Sequence, residues 1–257
     1  MTGIEIGGIE LEVRVIPGDA QRPWLVFLHE GLGSVSLWRD FPDKLARRTG
    51  CPALVYSRRG YGRSGPLRGP REPDFMHVEA LEVLPALLAH YSIERPIHIG
   101  HSDGASIALI HAASSPAATR AVVLMAPHVM VEPESRQSIA RITRVYETTD
   151  LRARLARHHA HVDDAFYGWS RIWLDPRFQN WSLAPECRRL EVPALLIQGM
   201  DDEYGTLAQL DAIERASRGI TRRLVLERCG HSPHRDQEGA VIAAIGEFLR
   251  DRALMAN

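Results

Sequence analysis

Cysteine is scarce in this sequence, and the pattern of the few cysteines excludes both a disulfide-linked scaffold and a zinc-linked one. The 257 residues include three of them, Cys51, Cys187 and Cys229, spaced widely along the chain. An odd count at such spacing gives neither a disulfide framework nor a zinc-binding pattern. We therefore expect three buried thiols, no bound metal, and a reducing compartment, the cytoplasm.

Long apolar runs and an excess of charge are also missing. No stretch approaches the roughly 20 apolar residues that cross a bilayer, and residues 1–17 alternate like a strand instead of following a signal-peptide pattern. The 31 basic and 32 acidic residues are mixed and leave a net charge of −1. This balance does not favour nucleic acid or a membrane as a partner. We expect a small-molecule substrate and a monomer or homodimer.

The chain does contain a regular alternation of short apolar runs and helical patterns. Gly7-Gly8 separates two alternating runs, 4–6 and 9–16, and predicts an initial hairpin. Six short apolar runs are typical of strands covered on both faces, at 24–28, 53–56, 97–99, 121–125, 194–197 and 224–226. Apolar residues at three- and four-residue spacing predict helices over 37–48, 77–91, 104–114, 207–218 and 237–252. The sequence thus predicts an α/β fold with a mostly parallel sheet flanked by helices.

One interval, residues 133–185, is too long for a simple crossover between strands. It carries helical and tryptophan-rich stretches. We interpret it as a helical lid inserted into a core formed by residues 1–132 and 186–257.

A candidate nucleophile follows the run at 97–99. Gly100-His101-Ser102-Asp103-Gly104 matches the G-x-S-x-G nucleophile elbow in the strand–turn–helix context that the motif requires. The turn is so tight that side chains at the two glycine positions would collide with neighbouring elements. We therefore expect Ser102 at a helix N-terminus, whose partial positive charge favours a developing oxyanion.

A serine hydroxyl needs a base within hydrogen-bond reach, and twelve histidines compete for that role. His231 follows the last predicted strand and precedes the last helix, which brings it to the sheet edge of Ser102. An acid must hold the imidazole in the right tautomer. Asp201, Asp202 and Glu203 all stand in a loop after a strand between the two, and position alone does not separate them.

The oxyanion needs two backbone N–H donors. The residue after the nucleophile, Asp103, is expected to supply one. Gly31 is our candidate for the second, with Leu32 as the alternative, because both lie in a glycine-rich loop that follows the run at 24–28.

Several other side chains are candidates for the substrate pocket. His128 follows a strand at the catalytic edge, and Trp169 and Trp173 are the tryptophans that we expect to face the substrate. The remaining aromatics of 133–185 are expected to hold that segment against the sheet. Three histidines, His158, His159 and His161, lie in an arginine-rich helix without ligand spacing, so we expect a solvated face and no metal site.

Together these residues resemble the lid-bearing α/β-hydrolase fold proteins of the esterase, lactonase and C–C hydrolase group. The resemblance spans nearly the whole chain and rests on His29-Glu30-Gly31-Leu32-Gly33, Arg59-Gly60-Tyr61-Gly62-Arg63-Ser64, Gly100-His101-Ser102-Asp103-Gly104, Gly199-Met200-Asp201-Asp202 and Gly230-His231. It implies an eight-stranded sheet with an antiparallel second strand and a lid after strand six. It also implies that the acid lies three residues past Gly199, which selects Asp202 for a triad with Ser102 and His231. The aromatic residues of 133–185 and the absence of metal ligands lead us to expect no cofactor.

Two positions depart from this pattern. Glu30 stands where a second glycine usually follows the histidine, and Asp103 stands where an apolar or amide residue usually follows the nucleophile. A side chain of Asp103 that turned inward would disfavour anionic acyl groups. We expect that it faces away and caps the helix.

The expected activity is hydrolysis of a carboxylic ester or lactone with a small to medium, largely apolar acyl group, through an acyl-enzyme. Other acyl chemistry on the same triad remains an alternative, namely C–C bond hydrolysis, thioester hydrolysis or perhydrolysis, because a fold does not fix a reaction. A thioesterase for large carriers should have a basic entrance, and the arginines within 136–157 leave that open. The complete set of Ser, Asp and His disfavours a non-catalytic ligand-binding role.

Overall fold

A computed structural model describes residues 2–251, 254 and 255 of the chain and has an eight-stranded sheet at its centre. In chain order the strands are β1 (Thr2–Ile6), β2 (Ile9–Ile16), β3 (Leu25–Leu28), β4 (Ala53–Tyr56), β5 (Ile97–His101), β6 (Ala121–Met125), β7 (Ala194–Gly199) and β8 (Thr221–Leu226). Their order across the sheet is β1-β2-β4-β3-β5-β6-β7-β8. β2 is antiparallel to β1 and β4, and the remaining ladders are parallel. The predicted sheet and its antiparallel second strand are confirmed.

The central strands are short apolar runs because both of their faces are covered. Every residue of β3, β4, β5, β6 and β7 is buried. Alternate side chains of these strands enter two apolar clusters, one on each face of the sheet. The three cysteines are buried free thiols, as expected.

Helices cover the sheet, and the chain leaves the carboxyl edge of the parallel strands to enter them. In chain order they are α1 (Phe41–Thr49), α2 (Phe75–Val78), α3 (Leu84–His90), α4 (Asp103–Ser114), α5 (Pro133–Thr148), α6 (Leu151–Leu155), α7 (Val162–Leu174), α8 (Ala184–Arg189), α9 (Ala208–Ala216), α10 (Pro233–Asp236) and α11 (Glu238–Asp251). The helix predicted over 77–91 is divided, because a wider π-helical turn, Glu79–Val83, joins α2 to α3. Within the described part of the chain, no helix combines the length and apolar character needed to cross a membrane.

Both ends of the predicted core reach past the described residues. Met1, Arg252, which ends the last predicted helix, and residues 253, 256 and 257 lie outside the described part of the chain.

Four helices, α5 to α8, lie between β6 and β7 and form what we call the helical insertion, residues 133–189. Aromatic contacts hold it together: the rings of Tyr146 and Phe166 stack at 3.7 Å, and Trp173 contacts both Phe178 and Trp181. Of these side chains, only Trp181 is more than slightly exposed. The four buried rings belong to the apolar cluster that covers one face of the sheet, so the insertion packs onto the core of the sheet.

His159 contradicts the expected solvated histidine face. It is buried, its Nδ1 accepts a hydrogen bond from the Gly62 N–H at 3.0 Å, and its Nε2 donates to the Leu32 carbonyl at 3.1 Å. His161 is exposed, and His158 hydrogen-bonds to Ser36. The sequence around His159 is polar and does not predict these hydrogen bonds, because the two partners, Gly62 and Leu32, lie on loops about a hundred residues away.

Candidate active site

The turn between β5 and α4 holds Ser102 in a backbone conformation that few residues adopt. Its φ and ψ are 53° and −120°, in a strained region that occurs mainly where the surrounding structure imposes it. The glycines on either side are required by close approach: a Cβ on Gly104 would lie 2.0 Å from the Leu28 carbonyl oxygen, and one on Gly100 would lie 2.5 Å from the Ala105 Cα. The sequence Gly-x-Ser-x-Gly thus exposes the serine side chain at the start of a helix.

Three loops at the carboxyl edge of the sheet bring a serine, a histidine and an aspartate into one hydrogen-bonded chain. His231 Nε2 lies 2.9 Å from Ser102 Oγ, and its Nδ1 lies 2.8 and 2.9 Å from the two carboxylate oxygens of Asp202. Nδ1–H donates to the carboxylate, which leaves Nε2 free to accept the serine proton. The other two candidate acids, Asp201 and Glu203, are exposed.

The Asp202 carboxylate is held by more than the histidine. It accepts hydrogen bonds from the Tyr204 backbone N–H at 2.8 Å and from Gln198 Nε2 at 2.7 Å. Its side chain is 1% exposed. Burial favours the neutral carboxyl, but the neighbouring His231 and these donors outweigh burial and lower the pKa of Asp202. A charged carboxylate thus faces the imidazole.

That carboxylate decides the basicity of His231. Burial on its own would lower the pKa of His231, but the adjacent Asp202 outweighs burial and raises it above 6.5. A base with a raised pKa gains a stronger pull on the serine proton, and its cationic form is stabilised where it would arise.

Further rings and hydrogen bonds fix the position of His231. His101 Nε2 donates to the backbone carbonyl of His231 at 2.7 Å, while Glu30 Oε2 lies 3.4 Å from His101 Nδ1. The rings of Tyr204, His101 and His128 stand 4.8, 5.1 and 5.6 Å from the imidazole of His231. The base is therefore enclosed on several sides.

A cavity of about 210 Å³ opens above this group. Its lining contains Ser102 and His231 together with the residues predicted to contact substrate or oxyanion, namely Gly31, Leu32, Asp103, His128, Trp169 and Trp173. Gly31 and Leu32 both border the cavity, so the choice between them stays open. Gly31 has no room for a side chain, because a Cβ there would lie 2.2 Å from Trp169 Nε1.

His128 is a neutral polar group in this wall. It is 3% exposed, its Nδ1 has no hydrogen-bond partner within the described residues, and its ring lies 5.0 Å from that of Trp173. Burial lowers the pKa of His128 to about 3, so the ring is uncharged at neutral pH.

The structure corrects the expected orientation of Asp103. Its carboxylate does not cap α4. It accepts a hydrogen bond from Trp173 Nε1 at 3.2 Å, lies 4.0 Å from the guanidinium of Arg58, and is fully buried. Both partners are distant in sequence, and the indole N–H and the guanidinium replace the N–H groups of the helix as partners of the carboxylate.

Several lining residues escaped the sequence analysis. They are Glu30, Ser135, Ile139, Tyr204, Ser232 and Arg235. Two carried a usable signal: Tyr204 comes two residues after the acid, and Glu30 departs from the family pattern. Ser135 and Ile139 lie on α5 and carried none, because only the tertiary fold brings that helix to the cavity.

The arginines within 136–157 do not border the cavity. Arg136 donates to backbone carbonyls of residues 173–175, Arg152 pairs with Asp163, and Arg154 pairs with Asp150. The cationic side chain in the lining is that of Arg235, which lies 3.4 Å from Glu30. The basic entrance that these arginines could have formed is therefore not found in the lining.

Comparisons with known proteins agree with this fold. A model of the alpha/beta hydrolase family matches residues 25–245. The chain is 27% identical over 258 residues to 2-succinyl-6-hydroxy-2,4-cyclohexadiene-1-carboxylate synthase from Klebsiella pneumoniae (strain 342), covering 93% of this chain and 98% of the relative.

Two solved structures share the fold at low sequence identity. The enol-lactonase from Burkholderia xenovorans LB400 has a TM-score of 0.77 at 23% identity, over 97% of this chain and 100% of that one. An esterase from Exiguobacterium antarcticum has a TM-score of 0.78 at 15% identity, over 97% and 99%.

Proposed function

Because the chain belongs to the alpha/beta hydrolase family, we propose that it is a serine hydrolase that cleaves a carboxylic ester or lactone through an acyl-enzyme. The observation that carries this proposal is the hydrogen-bonded chain from Ser102 through His231 to Asp202 beside a cavity. Ser102 acts as nucleophile, His231 as general base and acid, and Asp202 as the group that orients and stabilises the imidazolium.

In the first half-reaction Ser102 Oγ attacks the acyl carbon while His231 Nε2 takes the serine proton. The carbonyl electron pair moves to the oxygen and gives a tetrahedral oxyanion. Its collapse breaks the bond to the leaving oxygen, which takes the proton from His231. An alcohol and an acyl-Ser102 result, or a ring-opened acyl group if the substrate is a lactone.

In the second half-reaction His231 removes a proton from water as that water attacks the acyl carbon. The second oxyanion collapses, the bond to Ser102 Oγ breaks, and His231 returns the proton to the serine. A carboxylic acid is released. No step requires a cofactor.

The oxyanion of both half-reactions is proposed to bind the backbone N–H groups of Asp103 and Gly31. Both residues border the cavity with Ser102. Donors fixed in this way contribute much of the rate enhancement in acyl transfer, because they need no reorganisation when the charge develops.

The size and lining of the cavity favour a small, largely uncharged acyl group. At about 210 Å³ it is smaller than most drug-sized ligand sites, which begin near roughly 300 Å³. Trp169, Trp173 and Ile139 supply apolar wall, and His128 supplies an uncharged hydrogen-bonding group.

Most of the helical insertion, residues 133–185, is proposed to act as a lid over this cavity. The chain then divides into a core, residues 1–132 and 186–257, and a lid, residues 133–185. Support comes from α5 and α7, which contribute four of the lining residues, Ser135, Ile139, Trp169 and Trp173.

Among the alternatives, thioester hydrolysis on a large carrier is disfavoured because none of the arginines within 136–157 borders the cavity. C–C bond hydrolysis and perhydrolysis use the same triad and are separated from ester hydrolysis by assay alone.

A screen with p-nitrophenyl esters from acetyl to octanoyl, beside lactone, acyl-CoA and vinylogous diketone panels, tests the proposal. We expect turnover of short esters or lactones that Ser102→Ala lowers by about a thousandfold or more. Turnover confined to the diketones or acyl-CoA, or equal turnover by the Ser102→Ala variant, would contradict it.

A further inference from the structure

Arg58 is a buried cation that contacts both sides of the proposed oxyanion hole. Its side chain is 1% exposed. Its Nη1 donates to the carbonyl of His29, and its Nη2 donates to the carbonyl of Glu30 at 3.0 Å, so the guanidinium holds the two peptide units that precede Gly31. The same Nη2 lies 4.0 Å from Asp103 Oδ2.

Arg58 makes two further contacts. Its backbone N–H donates to His29 Nε2 at 3.0 Å, and its guanidinium lies 5.0 Å from the centre of the Tyr61 ring. A guanidinium keeps its charge in proteins, and burying that charge is costly unless donors and counter-charge are satisfied. Asp103 is the carboxylate that the described residues place within ion-pair distance of it.

The negative charge of the Asp103 carboxylate would destabilise a neighbouring oxyanion unless a cation compensates it. The backbone N–H of Asp103 is a proposed oxyanion donor, so a charge on the carboxylate of the same residue would act on the developing negative charge. In a buried site such a pair of like charges is strongly repulsive. Asp103 Oδ1 is bonded to Trp173 Nε1, whereas Oδ2 has no hydrogen-bond partner within the described residues, so the indole alone does not neutralise the carboxylate.

We propose that Arg58 is a positioning residue for the oxyanion hole, which neutralises the Asp103 carboxylate and fixes the loop that carries Gly31. The inference rests on the proposed function. It assigns to Arg58 two effects that can be separated by substitution. The first is electrostatic and depends on the charge of Asp103. The second is geometric and depends on the hydrogen bonds to the carbonyls of His29 and Glu30.

The electrostatic part predicts an unusual rescue. Burial raises the pKa of Asp103 and Arg58 opposes that shift, so the variants are compared at alkaline pH, which favours the ionised carboxyl. There Arg58→Met leaves the carboxylate uncompensated beside the oxyanion, so kcat should fall by about a hundredfold while KM changes by less than about threefold. Adding Asp103→Asn removes the charge and retains an acceptor for Trp173. The kcat of the double variant should therefore be at least about tenfold higher than that of Arg58→Met alone. Arg58→Lys retains a charge, and Asp103→Asn should give it much less recovery.

The measurement is the set of kcat and KM values for a short p-nitrophenyl ester, together with the rate of Ser102 labelling by a fluorophosphonate. Arg68→Met, an exposed arginine of the same loop region that donates to the Gly8 carbonyl, is the matched control and should match the wild type. Circular dichroism and thermal melts check folding. If Arg58→Met does not fold, Arg58→Gln replaces it, since its amide can still donate to the two carbonyls without a charge.

Two results would overturn the inference: a double variant as slow as the folded single variant, or a change confined to KM. Either would mean that Arg58 only supports the loop. A wild type that is neither labelled at Ser102 nor active on esters contradicts the proposed function instead, and the two failures are thereby distinguished.

Discussion

At the scale of single residues, the chemistry depends on the charge that His231 can carry. It faces the Asp202 carboxylate at 2.8 Å on one side and the Ser102 hydroxyl at 2.9 Å on the other. The first contact stabilises the imidazolium, and the second supplies its proton. Neither works without the tautomer that puts hydrogen on Nδ1.

Asp202→Asn should therefore be far more damaging than Asp201→Asn. An amide NH₂ facing Nδ1 favours the wrong tautomer, so kcat should fall by roughly ten-thousandfold, as in other serine triads. Asp201 is exposed, and its amide variant is the matched control, expected to lie close to wild type. Steady-state kinetics of the two variants decide the matter, and reversed effects would show that Asp202 is not the acid.

The pH dependence follows from the same pair. Because Asp202 raises the pKa of His231 above 6.5, kcat/KM should fall on the acid side with a midpoint above pH 6.5. In Asp202→Asn the residual activity should have its midpoint at lower pH, since the charge that raised the pKa is gone. Rate profiles from pH 5 to 9 measure both, and a wild-type midpoint clearly below 6.5 is incompatible with this account.

The position of a residue can be predicted from sequence where near neighbours set it. Ser102 was identifiable because its strained turn requires glycines two residues away on each side. The orientation of Asp103 was not, because it depends on Arg58 and on Trp173, which is 70 residues later. Tertiary contacts of this kind leave no local pattern.

At the scale of elements, α7 decides the shape of the cavity. Trp169 and Trp173 border the cavity from this helix, whereas Phe166, on the same helix, stacks on Tyr146 of α5. The apolar spacing of α7 predicts a helix with a buried face. It does not tell which tryptophans reach the cavity and which only join helices, because both kinds are buried.

Trp169→Leu should change acyl-chain selectivity. Removing part of the cavity wall should shift the optimum toward longer esters, and each further methylene that is buried should gain up to about 0.8 kcal/mol in transition-state binding. Trp181→Leu is the matched control: Trp181 packs on Phe178 and Trp173 away from the cavity lining, so that variant should lose stability without shifting the optimum. A series of kcat/KM values from acetyl to octanoyl esters tests this, and an identical profile in all three proteins would refute the placement of Trp169 in the acyl pocket.

At the scale of the whole molecule, the mostly parallel sheet could be predicted because its central strands, β3 to β7, are short apolar runs buried on both faces. The helical insertion was identifiable from the length of the interval it fills. Its attachment was not: His159, which ties it to loops of the sheet, sits in a polar stretch with no buried pattern. Six buried histidines among the described residues give the molecule a further property, since burial lowers the pKa of His29, His98, His111, His128, His159 and His234.

The protein should lose stability in mild acid. These histidines are neutral when folded but bind protons below pH 6.5 when unfolded, so their contribution is complete above 6.5 and is lost as pH falls toward about 4 for His111 and about 3 for His128. Each should contribute a slope of up to about 1.4 kcal/mol per pH unit to the free energy of unfolding. His231 has a raised pKa and opposes this trend, but it is one group against six.

Urea unfolding at pH 7.5, 6.5, 5.5 and 4.5 measures that slope. The glutamine of His111→Gln cannot titrate, so this variant should lower the pH slope of the free energy of unfolding by no more than the contribution of one proton. His161→Gln changes an exposed position and should leave the slope unchanged. A free energy of unfolding that is constant between pH 7.5 and 4.5 would contradict the assignment of neutral buried histidines.

The central claim is that Ser102 is a nucleophile activated by His231, and covalent labelling tests it most directly. The wild-type protein is incubated with a fluorophosphonate at neutral pH, digested, and the modified peptide is sequenced by mass spectrometry. The account predicts one phosphonyl group per chain on Ser102, none in Ser102→Ala, and a labelling rate lowered at least about a hundredfold in His231→Ala. Labelling at another residue, or labelling of Ser102→Ala at the wild-type rate, would contradict it.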